Sequence, residues 1–187
     1  SKSPPQYSLG EAINCPSYPD AALREHIRAF KEAGFKVLIS IQLCQEEWGS
    51  SDEWWRQWYQ QAQRVTKYHV DIAKEENADA LVIAFAGKLP KEDNAPSFAS
   101  KEWATIIDIA KSSGLPVSFS SGAWGADWPD PHALPHPLAL TDFMDKLDFF
   151  DVGIHNTLFL DNNNPTQEEI DSKMKIMFNR LELLHNL

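Results

Sequence analysis

The chain has 187 residues, 43% of them hydrophobic and 24% charged, enough apolar material for one globular domain with a sizeable core. Its net charge of −10 argues against nucleic acid and against an anionic membrane surface, both of which select clustered Lys and Arg. A neutral or cationic partner fits that charge, and a neutral carbohydrate is one such partner. Cys15 and Cys44 are too few and too far apart to read as a metal site or a disulfide framework; neither a metal nor a cofactor is expected. No apolar run approaches the length of a membrane span and no signal peptide opens the sequence, which leaves the compartment open.

Residues 1–19 carry Pro4, Pro5, Pro16 and Pro19 without periodicity and read as an irregular lead-in; residues 20–187 carry the folded pattern. Asp20 is placed to cap a helix bearing Leu23, Ile27 and Phe30 on one face, with Gly34 ending it. Residues 36–43 form a short β-branched run, expected as a strand apolar on both faces, as in a helix-covered parallel sheet. The unit repeats. Asp52 precedes a long helix with Trp55, Trp58, Tyr59, Ala62, Val65, Ile72 and Ala73, and residues 78–86 give a second strand. Ser100 is expected to cap a helix bearing Trp103, Ile106, Ile107 and Ala110, closed by Gly114 and followed by a strand over 116–120. A short helix over 140–147 leads into a strand over 149–154. Thr166 and Glu169 form a capping box before a helix reaching about Leu184. Alternating strands and helices predict an α/β fold with a parallel sheet.

The segments after the strands (42–51, 87–100, 121–138 and 155–165) are long and rich in Trp, Asp, Asn, Ser and His, whereas those before the strands are tight. In barrels and open α/β sheets alike, sites lie at the strands' C-terminal ends. Trp48, Trp124 and Trp128 fall in these segments, where a flat ring can stack on the C–H face of a sugar. Gln42, Ser120, Ser121, Asp127 and Asn156 can hydrogen-bond its hydroxyls, Glu46 is a further substrate-binding candidate, and His155 sits at a predicted strand end. Trp54, Trp55, Trp58 and Trp103 are explained by helix-face packing. His132 and His136 lie in a proline-ordered stretch that does not support a metal site. Nucleotide-binding, serine-hydrolase and zinc-protease motifs are absent, which leaves paired carboxylates as the natural chemistry for a sugar-active barrel.

Three stretches carry a family resemblance: Gly34-Phe-Lys-Val-Leu-Ile-Ser-Ile with Trp48-Gly49 behind it; Trp55 to Asp79; and Leu147-Asp-Phe-Phe-Asp-Val-Gly-Ile followed by Leu158-Phe-Leu. Together they resemble the (β/α)₈-barrel glycoside hydrolases whose acid/base Glu follows strand four, most of all glycoside hydrolase family 113, the β-mannanase-like group. The resemblance covers about residues 20–185 and implies strands three to six of a TIM barrel; an open doubly wound sheet is the alternative. It implies a retaining two-carboxylate hydrolysis of a β-linked polysaccharide or oligosaccharide, with the acid/base position falling on Ala86. Ala transfers no proton, so an inactive variant is expected, natural or made by replacement of Glu; the alternative is that the resemblance is out of register here and the acid lies at another position. The nucleophile is expected outside this chain, as are the remaining strands, which either a longer protein of which this is a portion or a second polypeptide segment would supply. The alternatives are a non-catalytic carbohydrate-binding or scaffold domain derived from such a barrel, and an α/β protein–protein interaction domain.

Overall fold

In the computed structural model, residues 19–43, 49–85, 95–121, 143–152 and 164–185 are described. They form α1 (Asp20–Glu32), β1 (Leu38–Leu43), α2 (Asp52–Glu75), β2 (Ala80–Phe85), α3 (Ala99–Lys111), β3 (Val117–Ser121), β4 (Phe149–Val152) and α4 (Gln167–His185). The strands make one parallel sheet in the order β1-β2-β3-β4. Strictly sequential order, with α2 and α3 packed on each other and on the same face of the sheet, is the winding of a (β/α) barrel arc. A doubly wound sheet reverses its strand order instead.

The covered face and its helices share one apolar core. Ile39, Ile41 and Leu43 of β1 align with Leu81, Ile83 and Phe85 of β2, and Leu81 and Ile83 align with Val117 and Phe119 of β3; all are buried. Every apolar position expected on α2 is buried, as are Trp103, Ile106, Ile107 and Ala110 of α3. Trp103 is the hub: its ring lies 6.2 Å from those of Trp58, Tyr59 and Phe85, 5.5 Å from Phe119 and 5.8 Å from Phe143. The helix-face tryptophans are therefore core, as their spacing predicts.

Several local expectations change. Asp20 is the first helical residue rather than the cap, and its carboxylate accepts from Arg24 Nε at 2.9 Å, one turn on. Ser51 caps α2, accepting from Trp54 N at 3.2 Å. Ser100 lies within α3, whose N-cap position is held by Phe98 without a side-chain cap. The helix expected over 140–147 is a single 3₁₀ turn, Met144–Lys146, among the described residues. Phe30, expected on the packed face of α1, is 55% exposed and meets Phe35 edge-on, while Ile27 is buried. β1 is buried on one face only, its residues alternating exposed and buried. The capping box of α4 forms as expected: Thr166 N donates to Glu169 Oε2 at 2.7 Å, and Glu169 N to Thr166 Oγ1 at 3.3 Å.

A repeated latch sets the sheet's N-terminal edge. Lys31-x-x-Gly34-x-x-Val37 and Lys111-x-x-Gly114-x-x-Val117 each run from a helix's last turn into a strand, with the glycine at φ +84° or +76°. That left-handed conformation favours glycine. In the first copy Asp79, just ahead of β2, accepts from Lys31 Nζ and Val37 N, both at 2.8 Å. In the second, Asp148, just ahead of β4, accepts from Lys111 Nζ at 2.6 Å and Val117 N at 2.7 Å. Lys74-x-x-Asn77-x-x-Ala80 repeats the spacing, with Asn77 at φ 54°, but Pro116 precedes β3 where an acid would complete it. The latch thus joins β1 to β2 and β3 to β4.

Candidate functional site at the strand C-terminal ends

The face of the sheet opposite α2 and α3 is graded in polarity. Alternation along each strand places Leu38, Ser40 and Gln42 of β1 on it, with Ala80, Val82 and Ala84 of β2, Ser118 and Ser120 of β3, and Phe149 and Asp151 of β4. Toward the N-terminal ends Leu38, Ala80, Val82 and Phe149 outnumber Ser40 and Ser118; Leu38 and Phe149 are exposed, whereas Val82 and Ser118 are buried. Toward the C-terminal ends it becomes polar: Gln42 aligns with Ala84 and Ser120 with Asp151, and continuing the Ile83–Phe119 register by one residue sets Ala84 beside Ser120. An apolar floor below a polar upper layer is what a barrel interior needs, with packing at the bottom and ligand chemistry at the top.

This upper row is accessible. Gln42 and Asp151 are exposed, and Ser120 and Ala84 are partly so. Among the described residues, no side-chain hydrogen bond or ion pair engages Gln42, Ser120 or Asp151. The row therefore presents an amide, a hydroxyl and a carboxylate to whatever lies above it. Such groups hydrogen-bond sugar hydroxyls well.

The strongly shifted ionisable groups lie at the opposite, N-terminal end. The Lys31 ammonium, aided by Val37 N–H, holds the Asp79 carboxyl well below the usual carboxylate range, and Lys111 with Val117 N–H lowers Asp148. Arg28 and Arg24 lower Glu76, to which Arg28 Nε donates at 2.6 Å and Arg24 Nη1 at 3.1 Å. Glu75 and Glu76 in turn raise Arg24. On α2, burial lowers His69, whose ring meets Val65 O at 2.8 Å, and raises Tyr68. All of these groups have structural partners, so they mark the architecture of the sheet's lower end and helices rather than the site. No group of three or more His, Cys, Asp or Glu able to hold a metal occurs among the described residues.

Of the residues expected at the site, Gln42 and Ser120 come together in the upper row, with Ser121 the last residue of β3. Ala86, Glu46, Trp48, Trp124, Asp127, Trp128, His155 and Asn156 lie outside the described residues. Asp151 was not expected. Its signal is a lone acid inside Phe149-Phe-Asp-Val, where period two puts it on the face away from the helices.

No family model matches the chain, and no curated protein does. The resemblance to glycoside hydrolase family 113 accordingly finds no support there. A solved structure, a sugar phosphate isomerase/epimerase from Parabacteroides distasonis, is similar at 18% identity and a TM-score of 0.45, covering 76% of this chain and 52% of that one. The chain thus spans about half the length of that structure. A likeness at that level assigns this chain no substrate and no reaction.

Proposed function

We propose that the chain is part of a sugar-active β/α barrel that binds a neutral carbohydrate at the C-terminal ends of its strands. The observation that carries this reading is the polar row of Gln42, Ser120 and Asp151 at the C-terminal end of the sheet face opposite α2 and α3. The sequence supports it, since the segments that leave β1 and β3 at that end contain Trp48, Trp124 and Trp128. Net negative charge suits an uncharged ligand and disfavours nucleic acid or an anionic membrane. The finer reading is a retaining glycosidase acting on a β-linked substrate, with its acid/base position at Ala86 and its nucleophile on another strand. Completion of the barrel by further strands, pairing with the outer edges of β1 and β4, belongs to the same proposal. Ala86 itself favours a second reading, a carbohydrate-binding domain without catalysis.

Tryptophan fluorescence during titration with manno-, gluco-, xylo- and galacto-oligosaccharides tests the binding step without a catalytic acid. Saturable quenching or a blue shift with one series is the expected result. No response to any series, from a chain shown to be folded, removes the sugar reading. Where binding is found, Ala86→Glu separates the two versions: release of reducing sugar by the variant supports the glycosidase, and continued binding without turnover supports the binding domain.

A further inference from the structure

The upper row has a gap and a charge, and together they narrow the class of ligand. Adjacent strands lie about 4.8 Å apart, so Gln42 and Ser120 stand roughly 10 Å apart with only the Ala84 methyl between them. Asp151 follows one strand beyond Ser120. Resting on the sugar-binding reading above, we propose that Ala84 and Asp151 form a subsite that selects an unphosphorylated sugar. The sugar ring lies over the Ala84 methyl, where a larger side chain would occupy its place. Asp151 takes hydrogen bonds from adjacent ring hydroxyls, and Ser120 Oγ holds a neighbouring one.

Two observations support the roles given to these residues. A carboxylate accepts through two oxygens and donates nothing, which matches a pair of hydroxyls and repels a phosphate. Asp79 and Asp148 are each occupied by a lysine and a backbone N–H, whereas no described side chain engages Asp151. The ten residues assigned to this face of the sheet also include no Lys or Arg to meet a phosphate.

The test titrates the wild-type chain, Asp151→Asn and Ala84→Leu with the four neutral oligosaccharide series and with glucose 6-phosphate and mannose 6-phosphate. Circular dichroism verifies the fold of each variant. The wild type should bind one neutral series and bind the phosphorylated sugars at least about tenfold more weakly. Asp151→Asn should weaken neutral binding by about tenfold or more, as expected for loss of hydrogen bonds to a charged acceptor. It should also narrow the discrimination against phosphate, which a merely structural role for Asp151 would not do. Ala84→Leu should abolish binding of the neutral series. Should Ala84→Leu fail to fold, the near-isosteric Asp151→Asn still decides. Wild-type binding with unchanged affinity in Asp151→Asn overturns this inference and leaves the sugar reading standing. Preference for the phosphorylated sugars overturns it too, and no binding of any sugar by the wild type overturns both.

Discussion

Removing the Asp148 carboxylate gives the sharpest test of how the sheet's lower edge is held. One oxygen of this residue accepts from Val117 N at 2.7 Å and from Lys111 Nζ at 2.6 Å. Val117 is fully buried, so in Asp148→Ala its N–H loses its partner in a place water reaches poorly, a loss of about 1–3 kcal/mol. The Lys111 pair adds little: its two side chains are 36% and 41% exposed, and screened pairs contribute about 0–1 kcal/mol. In Asp148→Asn the amide oxygen can still accept from Val117 N, so the expected loss is about 1 kcal/mol or less. Lys111→Met should likewise cost about 1 kcal/mol or less. The prediction is therefore an order, with Asp148→Ala well below the other two. At about 2–4 °C per kcal/mol for a chain of this size, Asp148→Ala should melt roughly 2–12 °C lower. Urea denaturation at pH 7 with a common m-value is the assay. If Asp148→Ala and Lys111→Met are equally stable, the backbone bond to Asp148 does not support the β3–β4 edge and the latch argument fails.

The same carboxylates set a pH dependence. Asp79 and Asp148 are held below their ordinary range when folded, so their contribution is complete above the unfolded value of about 3.9 and is lost as pH falls through the folded values. Urea midpoints at pH 7, 4 and 3 should drop mainly below pH 4, and less so in the double variant Asp79→Asn/Asp148→Asn; an equal drop in both would remove these groups as the cause. Gly34→Ala should cost about 1 kcal/mol from the φ of +84° alone, since a Cβ there meets nothing within 4 Å. Gly49→Ala should cost more, because its Cβ would collide with the Trp54 ring; a smaller loss than that of Gly34→Ala contradicts this packing. Trp103→Ala, which empties the hub joining α2, α3, β2 and β3, should cost about 3–5 kcal/mol, read by thermal or urea unfolding.

The order of elements and most of the core could be read from residues 20–185 because periodicity is a local property. The 3.6-residue spacing of Trp55, Trp58, Tyr59, Ala62 and Val65, and of Trp103, Ile106, Ile107 and Ala110, marks the faces that are buried. Gly34 and Gly114 announced tight entries to strands, and Thr166 with Glu169 announced the start of α4, since each is satisfied within a few residues of chain. The helix starts at 20 and 99 lie one and two residues ahead of those that Asp20 and Ser100 as caps imply, because Asp and Ser are good caps in general and only the built geometry shows which residue occupies the position.

What the tertiary structure alone decided is register and partnership across long sequence separations. Nothing local says that Gln42, Ala84, Ser120 and Asp151 share a row; parallel pairing across three strand interfaces sets it. Nor does anything local separate Asp151 from Asp79 and Asp148, three acids in or beside apolar strands. Two are taken up by lysines and backbone N–H groups at the lower edge, and the third stands at the upper end of the face opposite α2 and α3. Sequence by itself determined which segments are helix and strand, because their pattern is short-range. The fold determined which polar residues hold the sheet together and which are left to meet a ligand, because a side chain's partner can lie dozens of residues away.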